Sequence, residues 1–341
     1  MSDVVELSTS LMAIDSTSGR EGAVADWLDG HLKRDHWLTR RIPVTAGRDD
    51  LMAVWGDQPR VVLSTHLDTV PPFIPPRLDG DTLWGRGACD AKGIAAAMLC
   101  AAERLRAAGT PVALLFVVGE ETTHDGAEAA NRAPIGTTVL INGEPTESSL
   151  AVGTKGAMRF TLRTRGEAAH SAYPHLGRSA ISELVRLLAE LETLDLPADA
   201  DLGATTINIG MVGGGVADNV LAPEAEARLM ARLVTPAETL VARLTGWLKG
   251  RAEFTQGITV PLARLRTLPG FPTSVAAFAT DIPKLAAWGT PYLFGPGSVH
   301  VAHRDDEHIG VPELRSAVDR YVEIATAALA QPAPPLRPGR P

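Results

Sequence analysis

The sequence predicts an α/β fold in which a mainly parallel sheet carries helices on both faces, with an α+β domain inserted into the chain. In about the first 150 residues, short apolar runs alternate with longer helical patterns, which is typical of parallel sheets. From about Gly156 apolar and polar residues alternate instead, and near Thr290 a buried run of the first kind returns. A chain of 341 residues also exceeds what one small core usually fills, so two domains are expected.

The first domain is predicted to span residues 1–155 and 266–331. Apolar runs predict buried strands at 61–63, 112–118, 139–141 and 289–294. Helical spacing predicts helices at 5–14, 21–32, 92–108 and 311–328. Gly109 follows the third of these helices, where a glycine serves as a C-cap.

The inserted domain is predicted to span residues 156–265. Alternating or apolar runs predict strands at 158–163, 206–212 and 225–234, and helical spacing predicts helices at 179–194 and 237–248. The last segment, 332–341, is rich in proline and offers almost nothing apolar to bury. A disordered tail is therefore expected there.

Composition excludes several classes of partner. The formal net charge is −8 and no run of lysine and arginine occurs, which argues against a nucleic-acid surface. No apolar run approaches the roughly 20 residues of a bilayer span, and the N-terminal residues do not resemble a secretory signal. A cytoplasmic protein without membrane or nucleic-acid partners is expected. Its two cysteines, Cys89 and Cys100, are too few for a disulfide framework and are expected to be reduced.

Two motifs with possible metal ligands follow the first predicted strand. His66 and Asp68 are alternate residues of an extended segment, so they face the same side and the carboxylate of Asp68 can orient a metal-bound imidazole. Asp90 stands just before the helix at 92–108, where a carboxylate can bridge two cations. Each motif has a simpler alternative: a surface histidine beside an acid for the first, and a helix N-cap for the second.

Further acidic and histidine residues follow the other strands of the first domain. Glu120 and Glu121 end the second strand, and adjacent like charges raise the pKa of one carboxyl unless a cation neutralises one of them. If Glu121 binds a metal ion, Glu120 is left to move protons as a general acid and base. A solvated acidic pair in a turn is the alternative. Glu144 ends the third strand and His303 follows the late one.

Taken together, these strand ends supply two imidazoles and three carboxylates. Such ligands suit zinc, and also cobalt or manganese. The predicted ligands of two divalent metal ions are His66, Asp90, Glu121, Glu144 and His303.

These residues resemble the motifs of the dinuclear metallohydrolase family that includes acetylornithine deacetylase, succinyl-diaminopimelate desuccinylase and carboxypeptidases. The resemblance covers nearly the whole chain. It rests on His66-Leu67-Asp68-Thr69-Val70-Pro71, Gly85-Arg86-Gly87 with Asp90 and Lys92-Gly93, Glu120-Glu121, Gly143-Glu144-Pro145, and Gly295-Pro296-Gly297 followed by Ala302-His303. The Ala302-His303 pair favours His303 as the ligand over the neighbouring His300 and His308.

The resemblance implies a pair of metal sites that share one carboxylate. Asp90 would bridge the two ions. His66 and Glu144 would complete one site, and Glu121 and His303 would complete the other. Glu120 would then be the general base. Asp68 would also be a catalytic residue, because it would orient the metal ligand His66.

The resemblance also implies a role for the inserted domain as a lid and homodimerisation domain. His170 corresponds to a histidine that, in relatives, reaches the partner subunit's active site and binds the oxyanion. The candidate substrate-binding residues are Asn219, Arg232, Gly295 and Gly297. One departure from the family pattern concerns Arg232, because Met230 occupies the position two residues earlier where relatives usually carry an aspartate.

The resemblance favours one class of substrate. Glu144, rather than an aspartate, is associated with relatives that act on N-acylated amino acids or carboxypeptidase-type substrates. The expected reaction is hydrolysis of the amide bond of an N-acyl-L-amino acid, with N-acetylornithine or a similar basic amino acid first. Succinyl-diaminopimelate desuccinylase, dipeptidase or carboxypeptidase activity is the alternative within the class. A catalytically silent ligand-binding relative would be expected to have lost Glu120 or a ligand, and none is missing.

Overall fold

The computed structural model describes residues 3–331, so the predicted disordered tail at 332–341 lies outside the described residues. The chain forms two compact units. The first comprises Met1–Val152, Leu265–Ser274 and Thr280–Pro341, and the second comprises Gly153–Arg264 and Val275–Ala279. The functional domain boundaries placed after residues 155 and 265 from the sequence stay predictions.

A six-stranded sheet forms the centre of the first unit. In spatial order its strands are Leu38–Thr45, Arg48–Trp55, Val112–Val117, Val61–His66, Val139–Asn142 and Thr290–Leu293. The last four strands in this order are parallel to one another. The first two form an antiparallel hairpin that pairs antiparallel with Val112–Val117. The mainly parallel sheet is confirmed, and the hairpin was not predicted from the sequence.

Helices cover both faces of this sheet. The helices of the first unit are Val4–Met12, Gly22–Arg34, Lys92–Ala107, Asp125–Asn131 and Val311–Ala330. Alternate side chains of the strands enter different core clusters because successive residues point to opposite faces. Phe116 packs in the cluster that contains the two longest helices, whereas Leu115 packs in the cluster that contains Trp288 and the helix Asp125–Asn131. The predicted two-sided layering is therefore confirmed.

The carboxyl ends of the four parallel strands lie at one edge of the sheet. The helix Lys92–Ala107 connects Val61–His66 to the parallel strand Val112–Val117, so it runs back across the sheet and begins at this same edge. After the helix ends, Gly109 has a φ of 75°, the left-handed conformation that favours glycine after a helix C-terminus. The remaining elements of this unit are Arg77–Asp79, Thr82–Trp84 and His308–Gly310, which form a small sheet, and the 3₁₀ turns Ile282–Lys284 and Ala286–Trp288.

The second unit is built on a four-stranded antiparallel sheet. Its strands, in spatial order, are Thr206–Gly214, Glu224–Leu233, Gly156–Arg165 and Glu253–Val260. The helices Ala180–Leu191 and Ala237–Leu248 share one core cluster with this sheet. The strand Glu253–Val260 was not predicted, because its residues are mostly exposed and give no clear apolar alternation. Short elements complete the described chain: Leu150–Thr154, Pro174–Leu176, Ala198–Asp199, Gly203–Ala204, Ala263–Arg264 and Thr273–Ala276.

Within residues 3–331, no helix has both the length and the apolar character that a bilayer crossing requires. The cytoplasmic location expected from the sequence stays a prediction.

Candidate metal and catalytic site

Two groups of metal-type ligands lie at the carboxyl-end edge of the central sheet. The first consists of His66, Asp90 and Glu144, all buried. Nε2 of His66 lies 3.0 Å from Oδ1 of Asp90 and 3.8 Å from Oε2 of Glu144. His66 is the last residue of its strand and Glu144 follows the adjacent parallel strand, so the sheet itself brings these two side chains together.

The second group consists of Asp90, Glu121 and His303. Nε2 of His303 lies 3.0 Å from Oε1 of Glu121 and 3.2 Å from Oδ2 of Asp90. Asp90 therefore belongs to both groups, and it turns one carboxylate oxygen toward His66 and the other toward His303. A carboxylate in this arrangement offers one oxygen to each ligand group.

The chemistry of these groups fits two divalent cations. Within each group the potential ligand atoms all lie within 4.8 Å of one another. Burial raises the pKa of Glu144 well above its usual range, and burial also raises the pKa of Glu121. Burial opposes ionisation of Asp90 as well, but hydrogen bonds with His303 and His66 hold its pKa below the usual value. Cations held here would stabilise the charged form of each carboxylate, which burial otherwise disfavours.

Asp68 contacts His66 through both its main chain and its carboxylate. Nδ1 of His66 lies 2.9 Å from the main-chain oxygen of Asp68 and 3.6 Å from its carboxylate Oδ1. Because a carbonyl oxygen only accepts, Nδ1 carries the proton and Nε2 is left to face the ligand group. The carboxylate also accepts the main-chain amides of Glu120 and Glu121, at 3.0 and 3.2 Å, and the hydroxyl of Ser18. The main-chain oxygen is the nearer partner of Nδ1, and the expectation that the Asp68 carboxylate orients His66 stays a prediction.

Glu120 belongs to neither ligand group and lies with His124 and Asp281 instead. Nδ1 of His124 is 2.8 Å from Oδ1 of Asp281 and 3.8 Å from Oε1 of Glu120. Burial and the negative charge of Glu144 raise the pKa of Glu120 well above its usual range. Neither His124 nor Asp281 was predicted from the sequence. The four-residue spacing from Glu120 was the only signal for His124, and nothing in the sequence pointed to Asp281.

The two glycines proposed to bind substrate are closely packed. A Cβ atom on Gly295 would lie 2.3 Å from the main-chain oxygen of Glu144, and one on Gly297, where φ is 83°, would lie 2.4 Å from Cβ of Cys89. The Gly295 amide donates to Thr146, and the Gly297 amide donates to Glu313. Their substrate-binding role stays a prediction. In this conformation the main-chain amides of both glycines already donate to other side chains.

Three predicted residues belong to the second unit. His170 is exposed, and its Nδ1 accepts the amide of Ala172 at 3.1 Å, so a neutral ring carries its proton on Nε2. A main-chain hydrogen bond of 2.9 Å from Ser171 to Asn219 brings the segments of His170 and Asn219 together. Arg232 is half-buried, and burial together with the charge of Arg159 lowers its pKa. No acidic side chain in the part of the chain that the structure describes forms an ion pair with Arg232.

Comparisons with known proteins find similarity along almost the whole chain. Residues 152–253 match a family model described as a peptidase dimerisation domain, and residues 50–148 match one described as peptidase family M28. A peptidase M20 domain-containing protein of Schizosaccharomyces pombe is 38% identical over 94% of this chain and 83% of its own length. A protein of Aspergillus fumigatus named probable carboxypeptidase is 35% identical over 96% of this chain and 87% of its own.

Solved structures share the fold at lower sequence identity. A tripeptidase from Staphylococcus aureus superposes with a TM-score of 0.81 at 19% identity, covering 96% of this chain and 98% of the tripeptidase. An M20 family metallo-carboxypeptidase from Sulfolobus solfataricus superposes with a TM-score of 0.73 at 16% identity, covering 96% and 99% of the two chains. The predicted fold class is thereby confirmed.

Proposed function

Because this chain belongs to the M20 peptidase family and is a hydrolase, we propose that it is a metal-dependent enzyme that cleaves the amide bond of an N-acyl-L-amino acid. The observation that carries the proposal is the position of Asp90, whose two carboxylate oxygens face two separate groups of ligands. The proposed ligands are His66, Asp90 and Glu144 for one ion and Asp90, Glu121 and His303 for the other.

Zinc is the proposed metal, because imidazole and carboxylate ligands suit it, although cobalt and manganese accept the same set. When bound, a pair of such ions polarises a scissile carbonyl and makes water acidic enough to be deprotonated near neutral pH. Nδ1 of His66 donates to the main chain and keeps Nε2 available, so the chain fixes the tautomer that a metal ligand needs.

Glu120 is the proposed proton carrier. It is adjacent to a ligand but belongs to neither ligand group, so its carboxylate is available to take a proton from the attacking water and give it to the leaving amine. The Asp68 carboxylate holds the amides of Glu120 and Glu121 and so fixes the base relative to the neighbouring ligand. The negative charge of Glu144 contributes to the raised pKa of Glu120. Neutralisation of that charge by a cation would lower this pKa toward the working range of a general base.

The second unit supplies the proposed contacts to substrate. We propose a homodimer in which His170 of one protomer donates its Nε2 proton to the oxyanion formed in the other. The match of residues 152–253 to a dimerisation domain supports the homodimer, and the hydrogen bond at Nδ1 supports the donor role of Nε2. Asn219, whose segment pairs with that of His170, is proposed to contact the acyl part of the substrate.

Arg232 is the proposed partner of the substrate's α-carboxylate. Met230 stands where relatives usually carry an aspartate, so the family pattern's nearby acid is missing and the described residues leave the guanidinium without an ion pair. A half-buried guanidinium of this kind is well suited to a carboxylate ligand, which it can bind through two hydrogen bonds. The proposed substrates therefore carry a free α-carboxylate on the amine side of the scissile bond.

Two substrate classes meet this requirement. N-acyl-L-amino acids are the first candidate, with N-acetyl-L-ornithine and other acetylated basic amino acids foremost. C-terminal residues of short peptides are the second, favoured by the relatives that are named carboxypeptidases. Succinyl-diaminopimelate desuccinylase and dipeptidase activities complete the proposed range.

The test is a hydrolysis screen with the zinc-, cobalt- or manganese-loaded enzyme and amine release as the readout. The panel contains acetyl, succinyl and formyl amino acids, N-blocked dipeptides, and free dipeptides. Turnover confined to the acyl amino acids supports deacylation, and turnover confined to N-blocked dipeptides supports carboxypeptidase activity. A protein that binds no divalent ion and hydrolyses none of these compounds would refute the proposed function.

A further inference from the structure

Glu307 holds the loop that presents Asp90. Its Oε1 accepts three main-chain amides, from Gly87 at 3.0 Å, Cys89 at 3.2 Å and Asp90 at 3.1 Å. The side chain of Glu307 is 0% exposed. A buried carboxylate that accepts hydrogen bonds from several main-chain amides holds that main chain in place. Each of these buried amides would otherwise lack an acceptor.

Arg86 completes this arrangement from inside the same loop. Its Nη1 donates to Oε2 of Glu307 at 2.8 Å and to the main-chain oxygen of Arg304 at 3.0 Å. The Arg86 side chain is 1% exposed, so the ion pair is buried. The main-chain amide of Gly85 also donates to the main-chain oxygen of Glu307. We call the Arg86–Glu307 pair, with the amides that Glu307 binds, the clasp.

The clasp joins two loops that each carry a proposed metal ligand. One loop ends in Asp90, the shared carboxylate, and the other runs from His303 to Glu307. Nε2 of His303 lies 3.2 Å from Oδ2 of Asp90, and neither residue belongs to a strand of the central sheet. In contrast, His66 ends a buried sheet strand and Glu144 follows another. Both groups share Asp90, but the group with His303 takes two of its ligands from these loops and the group with His66 takes only one. The group with His303 therefore depends more on loop-to-loop contacts.

We infer that Glu307 and Arg86 are positioning residues that set the distance between Asp90 and His303 and so tune the affinity of the site formed by Asp90, Glu121 and His303. The inference rests on the proposed two-metal function. Neither residue is within the two ligand groups, and both act through the main chain of the loops that carry the ligands. Groups that hold metal ligands in place typically change metal affinity by about 10- to 100-fold when they are replaced.

The test measures the two metal affinities of the full-length protein separately. Metal-free protein is titrated with Co²⁺, followed by visible absorption and by calorimetry, so that both binding steps are resolved. Glu307→Gln keeps the size of the side chain but places an amide where Arg86 needs an acceptor. Arg86→Lys keeps the charge but loses the planar group that reaches both Glu307 and the oxygen of Arg304. The matched control is Glu21→Gln, which removes the charge of another buried carboxylate, paired with Arg48 in the same unit.

The clasp variants should weaken one of the two binding steps by about tenfold or more, with a much smaller change in the other step. Glu21→Gln should leave both steps unchanged, even if it lowers the melting temperature. Unchanged affinities in folded Glu307→Gln and Arg86→Lys, or equal weakening of both steps, would overturn the inference. If Glu307→Gln does not fold, Arg86→Lys decides alone. Failure of the wild-type protein to bind any metal would instead refute the proposed function.

Discussion

His124 and Asp281 are joined by a 2.8 Å contact between Nδ1 and Oδ1, although 157 residues separate them in the chain. His124 follows the strand Val112–Val117, and Asp281 precedes the turn Ile282–Lys284. The contact places an imidazole of fixed orientation 3.8 Å from Oε1 of Glu120, the proposed base. An oriented group beside a general base restricts the positions that the base can adopt.

Replacement of His124 by alanine should therefore impair turnover more than substrate binding. We expect kcat to fall by about tenfold or more, because the Glu120 carboxylate gains freedom to leave its productive position. The KM and the number of bound metal ions should stay close to their wild-type values. Steady-state kinetics with metal analysis of the same preparation checks this, and a variant that lost metal together with activity would contradict it. Asp281→Asn, which retains an oxygen acceptor for Nδ1, should lose less than His124→Ala.

Glu120→Ala should separate metal binding from catalysis. The variant keeps all five proposed ligands, so it should bind two ions as the wild type does. Loss of a general acid and base typically costs about 10²- to 10⁴-fold in rate. Elemental analysis and turnover measurements on the same sample provide the check. Retention of wild-type turnover would show that another group moves the proton.

Much of the site was predictable because the sheet topology determines where its residues lie. His66 ends one parallel strand, Glu121 and Glu144 follow two others, and strands of this kind end at one edge. Local runs of apolar residues were enough to locate those strands. The nearer partner of the His66 imidazole was not predictable, because an extended His-x-Asp segment allows either the carboxylate or the main-chain oxygen of Asp68 to lie closer.

The supporting residues were missed for a different reason. Asp281 lies 161 positions beyond Glu120, and Glu307 lies 217 positions beyond Asp90, the acids whose surroundings they shape. No local periodicity encodes such contacts, which depend on how distant loops fold over the sheet edge. The outer strand of the hairpin, Leu38–Thr45, was missed because Ile42 is its only buried residue and it lacks a continuous apolar run.

Asp50 should make the stability of the protein fall as the pH rises. Burial raises the pKa of this carboxyl to about 8 in the folded protein, from a reference value of 3.8. Between these two values the unfolded chain releases the proton while the folded chain retains it, so folding becomes less favourable as the pH rises. Above about pH 8 both states are charged and this contribution stops changing.

Asp50→Asn should remove that slope. Its side chain cannot ionise and still offers an oxygen to the amide of Val118, which Oδ1 of Asp50 accepts at 3.0 Å in the wild type. Relative to the wild type, the variant should gain stability at pH 8 compared with pH 5. Urea unfolding of the metal-free proteins at both pH values measures this difference. Asp79→Asn, at a carboxylate with a 68% exposed side chain, is the control and should leave the slope in place. An identical slope in wild type and Asp50→Asn would contradict the assignment.

Arg232 should contribute to substrate binding only through the carboxylate of the substrate. Removal of a charge-assisted hydrogen-bonding partner costs about 1.5 to 3 kcal/mol, so Arg232→Ala should raise KM for a carboxylate substrate by roughly 10- to 100-fold. The same variant should show little change with the matching carboxamide, which the wild-type enzyme should already bind weakly. Arg228→Ala, on the same strand with a 64% exposed side chain, is the control and should change neither substrate. An equal rise in KM for both substrates in Arg232→Ala would mean that Arg232 supports the fold of its sheet and does not bind the substrate carboxylate.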